Sequence, residues 1–280
     1  MATELALVSH RGRIMTEQED AANRYDQRNI DTMELVWGRG YMSPGGDAEV
    51  ARIVSGLELR NQRVLDLGCG VGGASAALAR DHGARLVGVD IDSGVLKQAQ
   101  VLVDEAGVSD SVNLRHIEPG PLPFDEESFD VVYLNAVSCH FEDLVGLFSD
   151  IRRVLCDGGH LRGSDWFKRA DNDAFHNYDR LLRDHGLNFW FVARETFSDA
   201  LHKAGFESVA FVDRTAAVEE IASDGMQRTE TELRERLLAQ LGDSGYAAFV
   251  DWTRYRMDSL KGGGMEYGHF HARRGIPRNP

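Results

Sequence analysis

Between Arg63 and Asp165 short apolar runs alternate with longer amphipathic stretches, as in a parallel sheet covered by helices. The runs predict buried strands at Val64–Leu67, Leu86–Ile91, Val112–Ile117, Val131–Asn135 and His160–Ser164. Helical periodicity fills the gaps at Gly73–Asp81, Ser93–Ala106 and Phe141–Leu155. Upstream, the polar stretch Thr16–Leu35 predicts a helix that runs into the glycine-rich VWGRGYMSPGG, a segment able to cap a pocket. Downstream, Arg194–Ala204 predicts a helix stopped by Gly205, followed by strand-like Val209–Asp213. A charged helical region spans Ala216 to about Leu260, and GGGMEYGHFHARR predicts a glycine turn and a last alternating strand. The fold class is therefore α/β. The expected organisation is one domain over residues 1–280, with a cap (1–50), a ligand-binding core (51–165) and a substrate-side lid with the last strands (166–280).

Composition narrows the function. At 280 residues and 42% hydrophobic content the chain can bury a substantial core. Its 31 Lys and Arg against 45 Asp and Glu give a net charge of −14, which argues against tracking a nucleic-acid backbone or an acidic lipid surface. The apolar runs fall short of a membrane span and the N-terminus lacks a signal-peptide core, so the expected location is the cytoplasm. Cys69, Cys139 and Cys156 form no CxxC pair, and the histidines stand singly or at alternate strand positions, so no metal site is expected.

The strongest motif is VLDLGCGVGGAS (Val64–Ser75). An apolar strand enters a loop carrying Gly68, Gly70, Gly72 and Gly73 and a helix follows, so backbone can approach a ligand closely at the turn. Asp66 lies inside the first strand. A second strand, LVGVDID, ends in Asp90, the position that meets ribose hydroxyls in nucleoside-binding sheets.

These residues resemble the class I S-adenosylmethionine-dependent methyltransferases over roughly Tyr25–Asp165. The resemblance implies a Rossmann-like fold with a mainly parallel seven-stranded sheet, helices on both faces, an N-terminal helical cap and a helical insertion before the last strand. It implies S-adenosyl-L-methionine as cofactor, with the Gly68–Gly72 loop under its methionine part, Asp66 among the cofactor-binding residues, and Asp90 and Ile91 at the ribose. In HIEPGPLPFDEESFDVVYLN, Glu118 and Pro119 take the adenine position and Asn135 ends the fourth strand, facing the transferred methyl. A nicotinamide-dependent dehydrogenase shares the glycine loop and second-strand acid, but the acid inside the first strand and the LPF segment favour the methyl donor.

A narrower likeness lies in MELVWGRGYMSPGG (Met33–Gly46), which is similar to the segment before the core of phosphoethanolamine N-methyltransferases. Trp37, Gly38, Tyr41, Ser43, Gly45 and Gly46 match its pattern, and the likeness places Tyr41, Met42 and Ser43 against the cofactor. It also implies a catalytic pair of Tyr25 and His140, and a histidine near its ordinary pKa of about 6.5 can accept the proton an amine sheds.

Departures from that family bear on the substrate. Its phosphate-gripping Arg and the following Asp are Asn135 and Ala136 here, and the aromatic residue after the fifth-strand Asp is Trp166. A bidentate phosphate contact is absent at that position. A small amine or amino acid fits better, with Asn135 as a neutral hydrogen-bonding group and Trp37, Tyr41, Trp166, Phe167 and Tyr178 as pocket walls. Such walls can hold a cationic product by cation–π contact, about 0.5–2 kcal/mol each. The leading expectation is methyl transfer to nitrogen of a small metabolite. One alternative is cyclisation of the cofactor onto its own amine, giving azetidine-2-carboxylate and methylthioadenosine. The other is a catalytically silent cofactor-binding regulator. No nucleic-acid or membrane partner is expected, and NAVSCHF lacks the motif of many amino-methylating nucleic-acid enzymes.

Overall fold

The computed structural model describes residues 27–276. Helices α1 (Gln27–Trp37) and α2 (Gly46–Ile53) precede β1 (Arg63–Leu67), α3 (Gly73–His82), β2 (Arg85–Asp90), α4 (Ser93–Glu105) and β3 (Val112–His116). The second half runs β4 (Phe129–Asn135), α5 (Leu144–Val154), β5 (Leu155–Lys168), α6 (Asp173–Asp184), α7 (Arg194–Lys203), β6 (Phe206–Asp213), α8 (Thr215–Glu230), α9 (Arg234–Lys261) and β7 (Met265–Arg274).

The seven strands form one sheet in the order β3-β2-β1-β4-β5-β7-β6. Pairings from β3 to β5 are parallel, and β7 runs antiparallel between β5 and β6. The chain winds outward in both directions from β1 and β4, so the crevice beyond their carboxyl ends is the switch point where α/β sheets bind ligands. Strand alternation divides the core between the two faces. Val64, Val131 and Tyr133 pack with Trp37, Val50, Leu78 and Met257 on one face. Leu65, Leu67, Val132 and Leu134 pack with Phe148, Ile151 and Phe197 on the other.

The structure differs from the sequence expectation in five places. Helix α5 begins at Leu144 because the Asp143 side chain caps it, accepting from the Gly146 amide at 2.9 Å. Ser138–His140 form a separate 3₁₀ turn. Strand β5 extends to 14 residues through an irregularity between its pairings at Leu155 and His160, where Gly158 has φ 76°. The charged region after Arg214 is two helices, and α9 is interrupted at Gly242, where φ is 72°. The polar stretch Asp173–Asp184 forms α6, started by Asn172, whose side chain accepts from the Phe175 amide at 3.0 Å. Of the upstream helix expectation, residues 16–26 lie outside the described residues. No helix among the described residues is long and apolar enough to cross a membrane.

Candidate functional site

The glycine loop after β1 is fixed by its neighbours on β2. The Gly68 and Cys69 amides donate to the Val89 carbonyl at 2.9 and 3.0 Å, and the Gly70 amide donates to Asp90 Oδ2 at 2.9 Å. The Asp92 amide donates to Asp90 Oδ1 at 3.0 Å. A carboxylate has about four acceptor positions, so Asp90 retains capacity for a ligand diol. Burial raises its pKa above the ordinary aspartate value, against the opposing effect of these amides. The loop is bare backbone by necessity: a Cβ on Gly68 would sit 2.6 Å from Val137 Cγ2, and one on Gly70 2.7 Å from the Met42 methyl. A narrow cradle beside a half-buried carboxylate fits the methionine and ribose parts of S-adenosylmethionine.

Asp66 lies behind the loop. It is 2% exposed, accepts from Ser75 Oγ at 2.6 Å, and burial pushes its pKa up to about 7. This bond ties β1 to the first turn of α3, so Asp66 supports the loop from beneath.

The segment upstream closes over the same loop. The Gly73 amide donates to the Gly40 carbonyl at 3.1 Å, and Glu34 accepts from the Gly40 amide at 2.6 Å. Tyr41 is buried with its hydroxyl bonded to Asp47. Met42 and Ser43 are half-buried. Asn135 Nδ2 donates to Ser43 Oγ at 3.2 Å, and Asn135 Oδ1 accepts from Ser164 Oγ at 2.6 Å and from the Tyr267 hydroxyl at 3.4 Å. The end of β4 is thereby joined to the upstream segment, β5 and β7.

His140 ends the 3₁₀ turn after β4. Asp165, 1% exposed, accepts from the Ser138 hydroxyl and from the Cys139 amide at 3.3 Å, pinning the turn to β5. The Trp190 amide donates to the Cys139 carbonyl at 2.7 Å, and the His140 ring lies 4.9 Å from that of Phe189. Sequence reasoning missed Asp165 and Ser138; the signal was an acid at the end of a buried strand. Tyr25, the other expected catalytic residue, lies outside the described residues.

Ile91 is 58% exposed beyond β2, and its carbonyl meets His116 Nε2 at 3.0 Å. Glu118 and Pro119 are exposed, with Glu118 Oε1 3.9 Å from His116 Nδ1. This group forms the outer lip of the crevice past β2 and β3.

Phe167 requires a correction. It is 1% exposed in the core of the opposite face, 5.2 Å from Phe197 and 5.8 Å from Phe211 between ring centroids. Adjacent strand residues point to opposite faces, so Trp166 and Phe167 cannot both line one pocket. Trp166 faces Tyr267 at 4.9 Å. Trp37 and Tyr178 are buried on the same face as Trp166, and at their centre stands Arg256 of α9, which the sequence reading left within a charged helix. Its signal was its place among Val250, Thr253, Met257 and Leu260, the buried stripe of that helix.

Residues 65–162 match the family model described as a methyltransferase domain. Phosphoethanolamine N-methyltransferase 1 of Triticum aestivum is 27% identical over 251 residues, 89% of this chain and 49% of that protein. Methyltransferase phqN of Penicillium fellutanum is 31% identical over 191 residues, covering 66% of this chain and 56% of that protein. The solved phosphoethanolamine N-methyltransferase 2 of Haemonchus contortus, with phosphomonomethylethanolamine and S-adenosylhomocysteine, superposes with a TM-score of 0.83 at 22% identity, covering 94% of this chain and 61% of that one. The chain spans about half the length of the plant relatives it matches. With the glycine loop, the Asp90 carboxylate and the sheet order above, these likenesses support a class I S-adenosylmethionine-dependent methyltransferase domain in this chain, similar to those of the phosphoethanolamine N-methyltransferases.

Proposed function

We propose that this chain methylates the nitrogen of a small amine, with S-adenosylmethionine as the methyl donor. The observation that carries the reading is the Asp90 carboxylate at the end of β2, held 2.9 Å from the Gly70 amide, with β1 between it and β4, whose last residue is Asn135. Asp90 would hold the ribose hydroxyls and the Gly68–Gly72 backbone the methionine part. When bound, S-adenosylmethionine supplies an electrophilic methyl group, which leaves sulfur as the amine nitrogen takes it up.

The protein's own contribution is positioning, water exclusion and removal of a proton. Asn135, fixed by Ser43, Ser164 and Tyr267, offers a rigid neutral amide at the strand end. Docking of Gly40 on Gly73 covers the loop from the upstream side. A nitrogen attacks only through a free lone pair, so His140 takes the proton that the amine sheds. Tyr25 is assigned as its partner on the family resemblance alone.

The test is incubation with S-adenosylmethionine, alone and with a panel of amines and amino acids, with the nucleoside product identified by mass spectrometry. Acceptor-dependent adenosylhomocysteine together with a methylated amine is expected. Methylthioadenosine formed without any acceptor would overturn the reading in favour of cofactor cyclisation.

A further inference from the structure

Where the middle of β5 meets the end of β7, four basic side chains share one face of the sheet. In the antiparallel register His160 lies opposite Arg273, and Arg162 opposite His271. Directly opposed residues, and residues two apart on one strand, project to the same side. The four β-carbons therefore span about 5 Å across the strands and about 7 Å along them. Tyr133 of β4 is the register partner of Arg162, so this is the face that carries Trp37, Val50 and Leu78. His160, Arg162 and His271 are half-buried, and Arg273 is exposed.

The fold gives these cations no counter-charge. One row nearer the carboxyl end of β5, Ser164 lies opposite His269, and there Glu49 of α2 meets His269 at 2.6 Å and Arg214 at 3.3 Å. Among the described residues no ion pair reaches His160, Arg162, His271 or Arg273, in a chain with 45 acidic residues. Glu207, opposite Arg273 on β6, lies instead by Gly275, where an added Cβ would sit 2.6 Å from its Oε1. Arg162 Nε is buried and makes no hydrogen bond, while Arg273 Nε donates to the Gly158 carbonyl at 3.1 Å. The charges that act on the imidazoles are those of their basic neighbours. Burial together with Arg162, Arg273 and His271 lowers the His160 pKa, and burial with Arg162 lowers that of His271.

Like charges directly opposite each other on paired strands destabilise a sheet, so the arrangement calls for an anion. Guanidinium groups bind phosphate oxygens through their planar forks, and an imidazole in its protonated form donates from both nitrogens. The size of the group selects the ligand. Four cations rooted within about 5 by 7 Å suit two or three phosphates joined in a short chain, whose charge is concentrated in the same small area. The carboxylates on one side of an extended acidic peptide recur about 7 Å apart, so such a peptide places one or two of them over the group.

We propose that this face binds a compact oligophosphate, the diphosphate or triphosphate group of a ligand. The site is separate from the reaction crevice and goes beyond the methyl-transfer reading. Arg162 and His160 lie two and four residues before Ser164, the residue that bonds Asn135, on the side away from the carboxyl end of β5.

The experiment is calorimetric titration of the full chain with sodium triphosphate at fixed ionic strength, with adenosylhomocysteine present to occupy the cofactor site. Saturable binding is expected, weaker with inorganic monophosphate and absent with hexaglutamate. Adenosine triphosphate is the companion probe: equal affinity assigns the free oligophosphate, and tighter binding assigns a nucleotide-borne one. Arg162→Gln and Arg273→Gln should each weaken triphosphate by about tenfold, the loss of one charge-assisted contact, and leave adenosylhomocysteine affinity unchanged. Arg273 is exposed, so its variant keeps the test valid should Arg162→Gln fail to fold. Triphosphate should also raise the Tm of the unaltered protein more than that of either variant. No saturable heat with triphosphate, or an affinity unchanged in both variants, overturns the proposal. Hexaglutamate binding that both variants weaken overturns it in favour of an acidic protein surface. None of these readouts uses turnover, so failure of the methyl-transfer assay leaves the oligophosphate site standing.

Discussion

The Gly70 amide donates to the Asp90 carboxylate at 2.9 Å, joining the loop after β1 to the end of β2 across 20 residues of sequence. The bond makes the glycine loop and Asp90, the acid proposed to hold the ribose, one unit, so losing the carboxylate should disturb both. Asp90→Ala is expected to weaken adenosylhomocysteine by tenfold or more, on the order of the 1.5–3 kcal/mol of a charge-assisted hydrogen bond. Because burial raises the Asp90 pKa, affinity should also begin to fall with acidification at a higher pH than an exposed aspartate would give. Calorimetric titration from pH 4 to 8 checks both, and an unchanged dissociation constant in the variant would remove Asp90 from the site.

Asp66 should make the protein less stable as pH rises. Its carboxyl, 2% exposed, titrates at about 7 in the folded chain against an ordinary 3.8. The folded state therefore binds more protons between those values, and its contribution to stability declines as pH rises from about 4 to about 7 and is flat above. Asp66→Asn keeps an acceptor for Ser75 without the buried charge. The variant should show a higher Tm than the unaltered protein at pH 8 and no advantage at pH 4.5. Equal Tm differences at the two pH values would contradict this account.

Glu49 has the opposite sign. It is 1% exposed, within 2.6 Å of His269 Nε2 and 3.3 Å of Arg214, and its pKa is lowered from 4.5 to about 2, with His269 and Arg214 outweighing burial. Its contribution is present above about pH 4.5 and is lost as pH falls towards 2. Glu49→Gln should cost about 3 kcal/mol at pH 7, as breakage of a buried ion pair does, and should flatten the acid limb of stability. Urea unfolding at pH 7 and pH 3 measures both.

Much of this architecture could be read from the chain because its signals are local. The runs at Val64, Leu86, Val112 and Val131 are each a strand, and the glycines with Asp66 and Asp90 mark the loop in the sequence itself. Phe167 was misplaced because a residue type names a pocket wall only when strand alternation is applied as well, and alternation sends it to Phe197 and Phe211. Arg256 was invisible for a different reason. Its meaning depends on Trp37 and Trp166, which lie far from it in sequence, and neither shows in a helix rich in charged residues. Likewise the Ser138–Asp165 bond joins a turn to a neighbouring strand and has no local pattern.

His140→Ala should separate chemistry from binding. The side chain sits at the end of a turn held by Asp165 and packed on Phe189, while the Asp90 and Gly70 contacts lie on other elements. The variant is expected to bind adenosylhomocysteine like the unaltered protein and to lose about 10²-fold in kcat, the lower range for general-base removal. Equal losses in kcat and cofactor affinity would mean that His140 acts by shaping the cofactor pocket.

Gly73→Ala sets helix propensity against packing at one position. Gly73 opens α3, where alanine is favoured over glycine by about 1 kcal/mol. Its added Cβ would lie 2.2 Å from the Gly40 carbonyl oxygen, a backbone atom that cannot rotate away. The clash acts on the contact that docks the upstream segment, since the Gly73 amide itself donates to that carbonyl at 3.1 Å. Overpacking costs about 1–3 kcal/mol, so packing should win and the variant should be destabilised despite its better helix former. The expected signature is local: faster hydrogen exchange at Gly40 and Tyr41 and weaker adenosylhomocysteine binding, with exchange in β5 and β7 unchanged. A variant as stable as the parent, with Tyr41 equally protected, would show that the upstream segment is held by other contacts.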